Sequence, residues 1–207
     1  MRTEGPSFHL DTEKEYFHRL DCQLIQKMRE RAAREEEHRR MAELYRIEDL
    51  QLLEALEKLG YTHRTIVLLE LVPLIELAWS DGSVSSAERD WILRFARARS
   101  ITEDMPSWRQ LTSWLDHCPS PAFFEGTWRA IKAHAAFLSA EERTAAREVI
   151  IRACTDFAAA TCQRFGWHGR ICAAKRRVLE EIRKRLERPI GPDEPATAGA
   201  ASTHAAA

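Results

Sequence analysis

Residues that interrupt helices are scarce in this sequence. Its 207 residues include eight glycines and eight prolines, and neither type occurs between Asp11 and Leu59. No segment shows the polar and apolar alternation of a strand. Apolar residues instead recur at helical spacing in segments 63–79, with a kink expected at Pro73, and in 85–98, 106–116, 121–136, 140–162 and 171–187. These patterns predict an all-α fold, a helical bundle of about six to seven helices with a long N-terminal helical arm.

Long apolar runs and paired cysteines are also missing. The most apolar stretch, Thr65 to Trp79, is shorter than the ~20 residues that a bilayer requires, and it contains Glu70 and Glu76. The N-terminus has no apolar signal-peptide core. The five cysteines are scattered without a CxxC pair, which argues against a disulfide framework or a zinc site. We therefore expect a cytoplasmic protein with reduced thiols and without a membrane span.

Motifs of catalysis and of nucleic-acid binding are weak or absent. The sequence holds no GxSxG, no P-loop and no HExxH, and His117 and Cys118 are neighbours only along the chain. Residues 164–188 carry nine Lys/Arg against three Asp/Glu, but Glu180 and Glu181 lie one turn before Lys184 and Arg185 and can pair with them. We expect no enzymatic activity, no small-molecule substrate and no nucleic-acid partner.

The first 46 residues predict a charged helical arm. The segment from Asp11 to Leu59 is expected to form one long helix, or two helices with a soft joint near Arg46 to Asp49, and Gly60 stands where a helix C-cap belongs. An apolar stripe covers about three turns of the arm, too few for a sustained coiled coil. Apolar side chains that stay exposed to water on an isolated helix raise its free energy. We therefore expect the arm to bind a protein partner or a second copy of the chain. A purely solvated arm is the alternative. The predicted contact residues are Phe17, Leu20, Leu24 and Met28.

The remaining chain divides into a domain and a tail. Residues 47–187 are expected to form the packed helical domain. Residues 188–207 consist mostly of Pro, Ala, Gly and Thr, with almost no large apolar side chain. Such a composition cannot bury enough surface to order itself, so we expect a disordered tail.

One acidic turn, "WSDGSVSSAERDWI", has two interpretations. Asp81, Gly82, Val84 and Glu88 match the second half of a calcium-binding loop, but Leu77 and Trp79 then occupy ligand positions. A capping box explains the same spacing, with Ser85 and Glu88 exchanging hydrogen bonds at a helix start. A second capping signature joins Ser139 and Glu142. Capping is the favoured interpretation, and a divalent-cation site at Asp81 and Glu88 is the alternative, with further ligands from Glu70, Glu76 or Asp90.

The same turn is echoed later in the chain. "GSVSSAERDWIL" from Gly82 returns as "GRICAAKRRVLE" from Gly169, with Lys175 in the place of Glu88. An apolar helix that ends in Ala78, Asp81, Gly82, Val84 and Ser85, followed by Glu88 and Ile92, resembles the TerB-like, tellurite-resistance-associated family of all-helical domains over residues 62–186. The resemblance implies a helical bundle without established catalysis, a role in a bacterial response to metal or envelope stress, and acidic residues that bind divalent cations. Lys175 departs from the family pattern, because a cation between the two motifs would meet a positive charge.

The N-terminal arm carries a second resemblance. Glu15, Tyr16, Phe17 and Leu24, followed by the charged run after Met28, are similar to the helical inhibitor protein of mitochondrial ATP synthase. The resemblance implies an arm that regulates a partner enzyme. The favoured function is nonetheless a non-catalytic interaction or scaffold module, with a divalent-cation sensor and an inhibitor-like arm as the two alternatives.

Overall fold

The computed structural model describes residues 7–162 and 173–187, with side chains from Tyr16 onward. No strand occurs in these ranges, so the all-α prediction is confirmed. The expected tail and the second copy of the turn around Gly169 lie outside the described residues. The described α-helices are α1 (Ser7–Tyr45), α2 (Leu50–Lys58), α3 (Val72–Ala78), α4 (Ser86–Ala98), α5 (Pro106–Asp116), α6 (Pro121–Ala136), α7 (Ala140–Cys162) and α8 (Ala173–Glu187), with 3-10 segments at Ile66–Leu71 and Trp79–Asp81.

Local sequence signals set most of the helix ends. Ser120 accepts a hydrogen bond from the backbone N–H of Phe123. Asp49 caps α2 in the same way. Pro121 is the first residue of α6, where a backbone N–H has no acceptor within the helix, so its absence removes no hydrogen bond. The expectation for Pro73 was wrong, because Pro73 does not kink a single helix. It lies in the first turn of α3, and the preceding residues form a separate 3-10 segment.

The short helix α3 is the centre of the domain. Nearly all of its side chains are buried, among them Leu74, Ile75 and Leu77. It packs against α6, α7 and α8, while α4 packs against α7 and α5 packs against Ile66–Leu71. A helix with apolar residues on all sides is stable only when other helices surround it. The apolar run that could not span a bilayer therefore forms the core of a helical bundle.

The C-terminal part of α1 packs against this bundle, whereas its N-terminal part is exposed to solvent. Its 39 residues extend for about 58 Å at 1.5 Å per residue. Residues 36–45, here called the arm root, include the buried side chains of His38 and Met41. The described side chains of residues 7–35, here called the free arm, are exposed from Tyr16 to Glu35. The expected joint follows the arm root, where Arg46 has a φ of 51°.

None of the described helices combines the length and the apolar character that crossing a bilayer requires.

Candidate functional site

The acidic turn connects the central helix α3 to α4. After Trp79–Asp81, Gly82 reverses the chain with a φ of 89°, a conformation that side chains other than glycine rarely adopt. The ring nitrogen Nε1 of Trp79 donates a hydrogen bond to the backbone oxygen of Trp114 at 2.9 Å, which fixes the start of the turn against α5. The Asp81 side chain is 44% exposed at the surface.

Both hydrogen bonds of a capping box are present at the start of α4. The backbone N–H of Ser85 donates to Oε2 of Glu88 at 2.8 Å, and the N–H of Glu88 donates to Oγ of Ser85 at 3.4 Å. The Ser85 hydroxyl also donates to Oε2 at 2.7 Å. The oxygen Oε2 is therefore engaged in helix capping. A metal ion would have to compete with these donors for it.

The other oxygen of Glu88 faces a lysine from the far end of the chain. Oε1 is buried and lies 2.5 Å from Nζ of Lys175 on α8. The same ammonium lies 3.6 Å from Oδ2 of Asp81, and the side chains of Lys175 and Glu88 are only 7% and 4% exposed. The carboxylates of the acidic turn thus converge on one buried positive charge. We call Asp81, Glu88 and Lys175 the lysine clamp.

The Lys175 ammonium occupies the position that a divalent cation between Asp81 and Glu88 would take. Of the further ligands expected from the sequence, Glu76 pairs with Arg185 at 3.2 Å and Glu70 with Arg99 at 3.8 Å. Among residues 7–162 and 173–187, no group of three or more His, Cys, Asp or Glu side chains is arranged to hold a metal ion. The geometry therefore gives the acidic turn a structural role, in which it ties α8 to the start of α4.

Calcium, manganese and zinc are expected to produce no saturable heat when titrated into the wild-type protein. A dication at Asp81 and Glu88 would have to displace an ammonium that already lies between both carboxylates, and close like charges repel strongly in a buried site. Isothermal titration calorimetry of the wild type beside Asp81→Ala measures this. A stoichiometric heat that disappears in Asp81→Ala would contradict the expectation and support the cation sensor.

The second capping signature is also a helix start. The N–H of Ser139 donates to Oε2 of Glu142 at 2.8 Å, and the N–H of Glu142 donates to Oγ of Ser139 at 3.2 Å. These hydrogen bonds hold the pKa of the Glu142 carboxyl below its usual value. The charge of Arg46, which follows α1, also favours the ionised Glu142 carboxyl. Unlike the lysine clamp, however, this box has no ion pair to another helix among the described residues.

The apolar stripe of the free arm is exposed along its whole length. Phe17 is 53% exposed, Leu20 48%, Leu24 57% and Met28 64%. Tyr16 and Ile25 extend the stripe and are similarly exposed. Within the described residues no other helix covers these side chains. The stripe is therefore an apolar surface that the described part of the fold leaves unpacked along several turns of one helix.

Two histidine–glutamate contacts attach the arm root to the bundle. Nε2 of His38, which is 6% exposed, lies 2.8 Å from Oε2 of Glu57 on α2. The ring of His63 contacts Glu37 at 2.7 Å. Partial burial opposes ionisation of Glu37, but hydrogen bonds from the backbone N–H and ring of His63 hold the pKa of that carboxyl below its usual value. The residues of these two pairs are 19 and 26 positions apart in the chain. Spacing within one helix therefore gives no signal for either pair.

Two of the described thiols, Cys118 and Cys154, lack the environment of a nucleophile. Burial is the main cause that raises the pKa of the Cys154 thiol to about 12, whereas a reactive cysteine needs a lowered pKa. Burial also raises the pKa of Cys118, whose Sγ faces the backbone oxygen of Pro119 at 3.5 Å. The structure therefore does not turn the neighbouring His117 and Cys118 into an activated pair.

No protein-family model, curated protein or solved structure matches this chain.

Proposed function

We propose that this protein is a non-catalytic helical module that self-associates, and that the free arm of one copy pairs antiparallel with the free arm of a second copy. The observation that carries the proposal is the exposed apolar stripe on a helix held away from the bundle. Most of the stability of a helix in a protein comes from packing its apolar face, so the exposed stripe favours a partner. Full burial of such a side chain contributes about 1.5–3 kcal/mol, and roughly half of that is still available at each stripe residue.

The stripe is symmetric about one position. Leu20 and Leu24 lie two residues on either side of Cys22, and Tyr16 and Met28 lie six residues on either side. When two copies run antiparallel with Cys22 at the centre, Leu20 of each copy therefore opposes Leu24 of the other. A helix advances about 100° per residue, so Cys22 itself is on the far side from the two leucines. The pairing is apolar and needs no disulfide.

The charges of the free arm favour the same antiparallel arrangement. Residues 9–21 carry four acidic and two basic side chains, a net charge of −2, whereas residues 23–35 carry four basic and two acidic side chains, a net charge of +2. Antiparallel pairing places the acidic half of each arm beside the basic half of the other. Parallel pairing would place like charges together. Electrostatic complementarity of this kind selects orientation more than it adds affinity.

The proposal predicts that the double variant Leu20→Glu with Leu24→Glu is monomeric. Four leucines leave the contact and four carboxylates enter it, so association should weaken at least ~100-fold, which corresponds to about 2.8 kcal/mol. Sedimentation equilibrium of the full chain measures this. Ala33→Glu, on the opposite face of the same helix, adds one carboxylate per chain away from the contact and should leave the dimer intact.

A mixing experiment tests the orientation. Leu20→Glu and Leu24→Lys should each weaken the homodimer, and a mixture of the two should associate more tightly than either alone, because antiparallel pairing places the new carboxylate opposite the new ammonium. A mixture that stays as weak as its components would refute the antiparallel arrangement. A wild-type chain that remains monomeric at every concentration would refute self-association.

The resemblance to TerB-like domains supports a scaffold role in a bacterial response to metal or envelope stress as the context of this module. The support is the acidic turn and its helix pattern, carried here by Asp81, Gly82 and Glu88.

A further inference from the structure

A groove lies between α6, the first half of α7 and the end of α8, and none of the lysine clamp residues lines it. Its volume is about 420 Å³. The apolar part of its lining includes Leu69, Trp128, Ile131 and Ile150. Binding sites for small molecules are typically apolar clefts of about 300–1,000 Å³ with a few polar groups at defined positions. The groove has the size and the lining of such a site.

The charged residues of the groove are mainly basic. Lys132 of α6 and Arg143 and Arg147 of α7 line it, together with Arg185 of α8. Arg185 is engaged with Glu76 at 3.2 Å, and Arg143 donates to the backbone oxygen of Leu138 at 3.0 Å. Lys132 and Arg147 have neither an ion pair nor a side-chain hydrogen bond to any residue that the structure describes.

These positive charges are close together without matching negative charge. Arg143 and Arg147 are one turn apart on α7, a spacing at which like charges destabilise a helix. The acidic residues of the lining are Glu70, which pairs with Arg99, and Glu187. The groove therefore retains a positive balance beside an apolar surface. An anion bound there would relieve the repulsion.

We propose that this groove binds a small carboxylic acid with an apolar chain. The chain lies on the apolar lining formed by Ile131 and Ile150, and the carboxylate accepts hydrogen bonds from Arg147 and Lys132. The volume of about 420 Å³ lies in the range of small-molecule sites, and a free acid of about ten carbons is a suitable probe of that size. The site is distinct from the free arm and does not depend on the proposed self-association.

Decanoate tests the proposal by isothermal titration calorimetry with the full-length chain. We expect saturable binding to one site per chain, with a dissociation constant between about 10 µM and 1 mM. Decanol, which has the same chain without the charge, should bind at least ~10-fold more weakly, because a hydrogen bond to a charged group is lost. Acetate, which has the charge without the chain, should give no measurable heat.

Three variants locate the site. Arg147→Gln should weaken decanoate binding at least ~10-fold, while Arg152→Gln, an exposed arginine on the same helix outside the groove, should leave it unchanged. Ala146→Trp places an indole over the groove from an exposed position and should abolish binding. Circular dichroism of each variant confirms that it is folded.

Several results would overturn the proposal. They are the absence of saturable heat from decanoate up to about 10 mM, equal binding of decanol and decanoate, and unchanged binding in Ala146→Trp. A loss of the dimer in Ala146→Trp with decanoate binding retained would assign the groove to the contact between copies instead.

Discussion

Lys175→Met is expected to lower the free energy of unfolding by about 3–5 kcal/mol. The substitution removes the ammonium from the lysine clamp and leaves the Glu88 carboxylate, 4% exposed, without its positive partner. Breaking one half of a buried ion pair costs this much because an uncompensated charge stays in a poorly solvated place. Urea denaturation followed by circular dichroism measures the loss. Lys184→Met, an exposed lysine on the same helix, should change stability by no more than about 0.5 kcal/mol.

A second substitution distinguishes the charge from the shape of the site. Glu88→Gln removes the negative charge and keeps a side-chain oxygen that can accept the N–H of Ser85. In the Lys175→Met background, Glu88→Gln should therefore restore part of the lost stability, although the same change alone is destabilising. If Lys175→Met is no less stable than Lys184→Met, or if Glu88→Gln makes it worse, the clamp does not stabilise the fold as described.

Trp114→Ala is expected to cost about 3–5 kcal/mol, because it removes a large side chain from a closed aromatic cluster. The Trp114 ring is 6% exposed, with centroids 5.4 Å from Tyr61 and 4.7 Å from Phe123. Tyr61 also makes a buried hydrogen bond to Thr127 at 3.0 Å. Such rings have few other partners to move toward, so the cavity left behind should persist.

Circular dichroism is the suitable measurement, since the substitution changes tryptophan fluorescence directly. Trp114→Phe should lose less stability than Trp114→Ala because an aromatic ring remains. Phe137→Ala, at a residue that is 42% exposed, should cost under about 1 kcal/mol. Equal losses in Trp114→Ala and Phe137→Ala would show that the cluster is not a tightly packed part of the core.

The caps show how much of the fold can be predicted from neighbours in sequence. Ser85 and Glu88, or Ser139 and Glu142, are three residues apart, and that spacing alone determines which backbone N–H each side chain can reach. The starts of α6 and α7 were predictable for the same reason, whereas α5 begins with a proline and has no side-chain cap. Pro73 was predicted less well, because a proline is compatible both with a kink and with the first turn of a new helix. The packing around α3 favours the first turn of a new helix.

The candidate sites were predictable only in part. The stripe from Phe17 to Met28 follows from helical periodicity, but periodicity does not reveal whether the bundle covers it. The echo of the acidic turn aligns Lys175 with Glu88 in the sequence. The burial of both side chains depends instead on how α8 packs against α3 and α7. The groove could not be predicted, since its lining comes from segments between Tyr45 and Glu187.

The sequence by itself determined the all-α class, most helix boundaries and the apolar stripe of the arm, because each depends on residues within one or two turns of each other. Only the tertiary structure decided that Lys175 and Glu88 are buried together. It also decided that the arm root is attached to the bundle while the free arm is exposed, and that basic residues of α6, α7 and α8 line one apolar groove. Those features depend on contacts between residues distant in the chain, and their geometry is set by how whole helices pack.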